Sequence, residues 1–172
     1  MIQEALQLTV TGQDITEDMA AAVMTEIMEG QATPSQIAGF AISMRMKGER
    51  TDELTGFAKV MRAKATVVPH HQARLLDTCG TGGSGTHKFN VSTTVAFVAA
   101  GAGAKVAKHG NRALSSKSGS ADVLTALGVK IELSPEQIGR CIDEVGMGFL
   151  FAPALHGAMR HAGPTRKELG SR

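Results

Sequence analysis

An α/β fold, with a small N-terminal helical bundle followed by part of a parallel-sheet domain, is predicted by three features of the 172-residue sequence. Apolar residues recur at helical spacing up to about Val68, short apolar pieces alternate with helices from Leu75 onward, and a glycine-rich loop and a basic loop follow the first two pieces. The expected organisation is a helical domain over 1–68, a linker over 69–74, and the first part of an α/β domain over 75–172. Its closing helix is expected to return to the helical domain.

Each element has a local reason. Thr16 precedes Glu17 and Asp18, with Val23, Ile27 and Met28 at helical spacing and Gly30 as a stop. Thr33-Pro34-Ser35-Gln36 has the form of a capping box with proline in the first helical position, leading into Ile37, Phe40, Ala41 and Met44. A further helix starts at Thr51 with Asp52 and Glu53 in its first turn, and its spacing turns Leu54, Phe57, Ala58 and Met61 inward. The run from Val67 to Gln72 breaks the helical period. Beyond it, strands are expected at Leu75-Leu76, Lys105-Val106-Ala107, Val129-Lys130-Ile131 and Phe149-Leu150-Phe151, with helices near 92–102, 120–127 and 135–145. The last of these opens on a second capping box, Ser134-Pro135-Glu136-Gln137.

Composition narrows the function classes. At 42% hydrophobic and 20% charged the chain is globular rather than disordered. No apolar run approaches the ~18 residues of a membrane span, and the Met1-Ile2-Gln3-Glu4 start lacks a basic signal-peptide region. A cytoplasmic protein is expected. The two cysteines, Cys79 and Cys141, are too few for a disulfide framework or a zinc site and read as small buried residues. The net charge of +2 conceals an asymmetry: 10 acids and 7 bases up to Asp77, none and 5 from Thr78 to Ala121, then 6 and 6. Nucleic acid is not expected as a partner, because aromatic residues make up only 3% and stacking platforms are scarce.

The acid-free stretch carries the chemistry. Gly80-Thr81-Gly82-Gly83-Ser84-Gly85 matches a dinucleotide fingerprint in letters only. The next helix starts near Ser92, after the glycines, and no acid follows about 20 residues on to hold a ribose. No Gly-Lys-Ser/Thr follows either, which excludes a Walker loop. There remain exposed backbone N–H groups and then Asn90, Ser92 and Thr93 at a helix start, a combination suited to an anion. Taken alone, Ser92 reads equally as a plain N-cap. The second loop, Lys108-His109-Gly110-Asn111-Arg112 continuing through Ser115, Ser116 and Ser120, adds cations and hydroxyls without a competing carboxylate in sequence. Together they make a site for more than one phosphate group.

Gly80-Thr81-Gly82-Gly83, Asn90-Val91-Ser92-Thr93 and Lys108-His109-Gly110-Asn111-Arg112, in this order and spacing, resemble the anthranilate phosphoribosyltransferase family of tryptophan biosynthesis. The resemblance runs from the helical segment to Arg166-Lys167-Glu168-Leu169-Gly170. It implies the nucleoside phosphorylase and phosphoribosyltransferase type of fold, a homodimer through the N-terminal helices, and transfer of phosphoribosyl from its 1-pyrophosphate to the anthranilate amine with Mg2+. By position, the phosphoribosyl pyrophosphate contacts would be Gly80, Gly83, Ser84, Lys88, Asn90, Val91, Ser92, Thr93, the run Lys108, His109, Gly110, Asn111, Arg112, Ala113, Leu114, Ser115, Ser116, and Ser120. Gly80, Asn111, His156 and Arg166 would face anthranilate, and Ser92 would supply a magnesium ligand. Without the resemblance, Arg166 reads as a surface arginine at a helix end.

No nucleophile or strong general base is evident, and the reaction the resemblance implies does not need one. Positioning and electrostatic stabilisation would dominate, with Lys108, Asn111 and Arg166 as the positioning residues. His109 reads as a loop-ordering contact. His70, His71, His87 and His161 read as solvated or linker histidines. Ser84 stands where the family usually has aspartate, and Lys88 where a small hydroxyl residue is common. The chain corresponds to the N-terminal half of a family member and lacks the family's Asp-Glu magnesium pair, so by itself it is expected to be a poor or inactive catalyst. Other readings left open are a non-catalytic module for nucleic acid or a partner protein, and a pyrimidine nucleoside phosphorylase relative.

Overall fold

The computed structural model describes residues 1–80, 89–113 and 118–170. Contacts divide the chain into two compact units, Met1–Ala65 with His156–Arg172, and Thr66–Leu155.

The first unit holds α1 (Ile2–Thr9), α2 (Glu17–Met28), α3 (Pro34–Lys47) and α4 (Thr51–Ala63), then a 3-10 turn (Gly157–His161) and α9 (Gly163–Glu168). Side chains nucleate the early helices locally. Thr16 caps α2 by accepting from Met19 N, and Thr33 and Gln36 close a reciprocal capping box on α3. The core draws on Ile2, Ala5, Ile15, Val23, Ile27, Ile37, Phe40, Met44 and Ala162, with Phe57 set edge-on to Phe40 at 6.0 Å.

The inner face of α4 differs from the expectation. Leu54 and Ala58 are exposed, whereas Glu53 and Gly56 are buried. Two close contacts decide the rotation. A Cβ on Gly56 would lie 2.3 Å from Glu17 O, so only glycine lets α4 approach α2 this closely. Glu53 accepts from Ile15 N at 2.9 Å, Arg50 N at 2.8 Å and Lys47 Nζ at 2.9 Å. Burial alone would raise its carboxyl pKa, but the two backbone donors and the Lys47 ammonium outweigh burial and hold it below the usual value. His161, expected to be solvated, is half-buried: its ring packs on Gly30, where a Cβ would come within 2.7 Å.

The second unit is built on parallel pairing. It contains α5 (Val91–Gly101), β1 (Val106–Gly110), α6 (Ser120–Ala126), α7 (Pro135–Arg140) continued by a π turn (Cys141–Val145), β2 (Met147–Phe151) and α8 (Ala152–Leu155). Val106 pairs with Met147 and Gly110 with Phe151, all in parallel register. On its other side β1 meets Leu76 through a parallel bridge, with Leu76 N donating to Lys105 O and Ala107 N to Leu76 O, both at 2.9 Å. The expected strand at Leu75-Leu76 is therefore this single bridge. The segment Val129–Ile131 has no ladder partner among the described residues. It is apolar because Ile131 is buried with Ala121, Leu124, Phe149 and Phe151 under α6, not because it extends the sheet.

A second cluster, Ile138, Ile142 and Leu155 with Val68 and Leu150, seats α7 on the sheet. Two glycines make this closeness feasible. A Cβ on Gly139 would sit 1.7 Å from Pro69 O, and one on Gly148 would sit 2.9 Å from Ile138 O. Asp143 accepts from His71 N, His71 Nδ1 and Gln72 Nε2. That clamp fastens the 69–72 segment.

Candidate functional site

The sheet aims its loops to one end. Residues after Leu76 and residues at the end of β1 leave adjacent parallel segments at their carboxyl ends, where ligands of such sheets bind.

At the first loop the helix begins earlier than expected. Asn90, not Ser92, is the N-cap of α5, accepting from Thr93 N at 3.2 Å, while the Ser92 hydroxyl donates to Asn90 Oδ1 at 3.4 Å. The short polar side chain of Asn90 satisfies an orphan N–H of the first turn, the task that the sequence leaves open to Ser92. Val91 and Ser92 thus belong to the first helical turn. Thr78 Oγ1 donates to Ser92 O at 2.8 Å and ties the segment after Leu76 to this helix start.

The basic loop begins inside the strand rather than after it. Lys108, His109 and Gly110 are β1 residues, and Lys108 is only 1% exposed, with Nζ donating to His109 O at 2.9 Å. Gly110 is enclosed: a Cβ would lie 2.8 Å from the Phe149 ring and 2.9 Å from Ser120 Cβ. Beyond it, Gly119 lies against the backbone of Asn111–Ala113, where a Cβ would come within 2.6 Å of Ala113 N and Asn111 O. Asn111 folds back to accept from Arg112 N at 2.7 Å, and Ala121 N donates to Asn111 O. The two loops meet where Thr93 Oγ1 donates to Ser120 Oγ at 3.0 Å.

The stretch that is free of acids in sequence is flanked by them in space. Asp122 accepts from Ala113 N at 2.9 Å and Gly119 N at 2.8 Å and approaches Arg112 Nη1 at 3.4 Å. Those backbone donors, with Arg112 behind them, hold the Asp122 carboxyl below its ordinary pKa. Asp77 accepts from Cys79 N at 2.9 Å and His109 N at 3.3 Å. Sequence reasoning missed both carboxylates as site residues. Asp122 was findable, since it stands third in a helix opening at Ser120, where an acid folds back on the preceding backbone.

Cys79 is exposed and Cys141 half-buried, which corrects the expectation of two buried cysteines. Cys79 Sγ lies 3.6 Å from His109 Nδ1. Gly83, Ser84, Lys88, Leu114, Ser115 and Ser116 lie outside the described residues, as does His87. His156 and Arg166 belong to the first unit, where both are half-buried; Arg166 borders an apolar groove with Ile37, Phe40, Met44 and Met159.

For magnesium the described residues offer little. Ser92 brings one neutral hydroxyl oxygen, whereas Mg2+ needs an octahedron of hard oxygens. The described group of His, Cys and carboxylate side chains able to surround an ion, Asp77, Cys79 and His109, carries sulfur and nitrogen donors unsuited to it. Ser92 thus offers one uncharged oxygen toward such an ion, short of a protein-built magnesium site.

A helical bundle joined to a parallel α/β unit with two convergent polar loops is the architecture of one glycosyl transferase family. Residues 3–65 match its helical bundle domain and residues 72–172 its a/b domain. The chain belongs to this glycosyl transferase family. It is 57% identical over 167 residues to an anthranilate phosphoribosyltransferase of Symbiobacterium thermophilum, covering 97% of this chain and 49% of the relative. A Chloroflexus aurantiacus anthranilate phosphoribosyltransferase is 58% identical over 171 residues, covering 99% and 50%. The crystal structure of anthranilate phosphoribosyltransferase from Thermus thermophilus superposes with a TM-score of 0.89 at 46% identity, over 98% of this chain and 51% of that one. The chain spans about half the length of the curated relatives it matches. No helix among the described residues is long and apolar enough to cross a membrane.

Proposed function

We propose that this chain is the phosphoribosyl-pyrophosphate-binding half of an anthranilate phosphoribosyltransferase acting in tryptophan biosynthesis. The observation that carries the reading is the meeting of the two loops at Thr93 and Ser120, beside the buried Lys108, at the carboxyl ends of parallel strands. In the reaction proposed, the anthranilate nitrogen forms a bond to C1 of the ribose as the C1–O bond to diphosphate breaks, and the amine proton leaves afterwards to solvent. Pyrophosphate departs with the electron pair.

Gly80, Asn90, Val91, Ser92, Thr93, the run Lys108–Ala113 and Ser120 would hold the phosphoribosyl pyrophosphate, with Gly83, Ser84, Lys88, Leu114, Ser115 and Ser116 completing the set. The positive end of α5, whose Thr93 N–H is already capped by Asn90, would face phosphate oxygens, and the fixed Lys108 would orient its strand end rather than travel with the substrate. Gly80, Asn111, His156 and Arg166 would receive anthranilate, the Arg166 guanidinium matching its carboxylate. Bound magnesium would neutralise the leaving diphosphate, with Ser92 contributing one oxygen. The assignment of 1–68 as helical domain, 69–74 as linker and 75–172 as α/β domain, a homodimer through the N-terminal helices and a cytoplasmic location belong to the same reading.

The test is titration of phosphoribosyl pyrophosphate into the 172-residue chain by calorimetry with Mg2+, together with loss of anthranilate fluorescence. Saturable binding with little turnover by this chain alone is expected. Absence of binding would overturn the assignment.

A further inference from the structure

We propose that Asp77, Cys79 and His109 form a site for a borderline-soft divalent cation of the zinc class. The inference rests on donor chemistry and distances alone, and it shares His109 with the run assigned above to phosphoribosyl pyrophosphate. A carboxylate oxygen of Asp77, the Cys79 sulfur and a ring nitrogen of His109 all lie within 4.8 Å of one another. A tetrahedral zinc ion with Zn–S of about 2.3 Å and Zn–N of about 2.0–2.1 Å places those two donors about 3.6 Å apart. Cys79 Sγ and His109 Nδ1 are separated by 3.6 Å.

The fold holds this group ready. Asp77 and Cys79 follow Leu76, His109 lies in β1, and the parallel bridge from Leu76 to Val106 sets the two segments side by side. Asp77 Oδ1 accepts from the backbone N–H of both Cys79 and His109, which fixes the carboxylate as outer contacts fix metal ligands. Asp77 and Cys79 are exposed, so an ion has an entry path. Sulfur, nitrogen and one carboxylate favour zinc-like ions over magnesium or calcium, which prefer all-oxygen shells. Three protein donors leave a fourth position for water or an anion. The ligating atoms would be the Cys79 sulfur and the His109 Nδ1 lone pair.

Cobalt(II) serves as the spectroscopic stand-in, added to the 172-residue chain and followed by absorption, with zinc affinity measured against a chromogenic chelator. The expected result is one ion per chain with a thiolate-to-cobalt charge-transfer band that zinc abolishes and excess magnesium does not. Cys79→Ser should lose the band, and Cys79→Ser and His109→Gln should each weaken zinc binding by about tenfold or more. Cys141→Ser should leave band and affinity unchanged. No band in the parent chain, a band surviving in Cys79→Ser, or zinc affinity unaltered in both Cys79→Ser and His109→Gln would overturn the proposal.

Discussion

The Thr93 hydroxyl donates a 3.0 Å hydrogen bond to Ser120 Oγ across 27 positions of sequence, joining the first turn of α5 to the first residue of α6. Thr93 is 2% exposed and Ser120 half-buried, so this contact is partly shielded from water. Thr93→Val leaves the Ser120 oxygen without that donor in a partly buried place, a loss of about 1–3 kcal/mol. Phosphoribosyl pyrophosphate affinity, read by calorimetry, should fall by about fivefold or more, and Ser120→Ala, which strands the buried Thr93 hydroxyl, should lower it at least as much.

Glu53 and Lys47 form the ionic centre of the helical unit, with Lys47 also reaching Asp14 at 2.7 Å. Glu53→Ala removes the acceptor of two backbone N–H groups and leaves Lys47 with Asp14 as its one carboxylate. The expected loss is about 2–5 kcal/mol, mostly from the stranded backbone donors, read from urea unfolding. Asp14 is half exposed, and Asp14→Ala should move the urea midpoint far less.

Glycines at 139 and 101 should respond with opposite signs. Gly139→Ala drives a methyl into Pro69 O, a backbone atom that cannot rotate away, and should destabilise the α/β unit by about 3 kcal/mol or more. Gly101 ends α5 with nothing within 4 Å of where a methyl would stand and no positive φ, so Gly101→Ala should stabilise by up to about 1 kcal/mol. Paired thermal melts distinguish the two.

Asp143 gives the molecule an acid-sensitive clamp. Hydrogen bonds from Gln72 first, then from His71, lower its pKa from 3.8 to about 2. Because the folded value lies below the unfolded one, the stabilisation is fully present above pH 3.8 and disappears as pH falls through about 2. Urea midpoints should therefore fall more steeply between those limits in the parent chain than in Asp143→Asn. Equal slopes would refute the clamp.

Local signals were legible in the sequence and non-local ones were not. The capping residues Thr16, Thr33 and Ser134 announce their helices because each bonds a backbone group within three residues. The face of α4 is not legible locally because a buried glutamate and a glycine at a helix crossing outweigh an apolar Leu54, and their partners lie on other elements. Likewise the acid-free charge pattern pointed to the right loops yet concealed Asp77 and Asp122, which tertiary folding brings to Cys79, His109 and Ala113. Cys79 offers no spacing motif with His109 because the parallel bridge, not the chain, makes them neighbours.

The surface of α5 has a consequence for the behaviour of the chain in concentrated solution. Its side chains are almost all small or apolar, yet Val95 and Phe97 are each 44% exposed and Val98 is 67% exposed. A net charge of +2 supplies little long-range repulsion to keep two such surfaces apart. Colloidal behaviour should accordingly be governed by this helix: Val98→Lys places one charge in the middle of the strip and should raise the saturation concentration more than the same charge added beside Lys130.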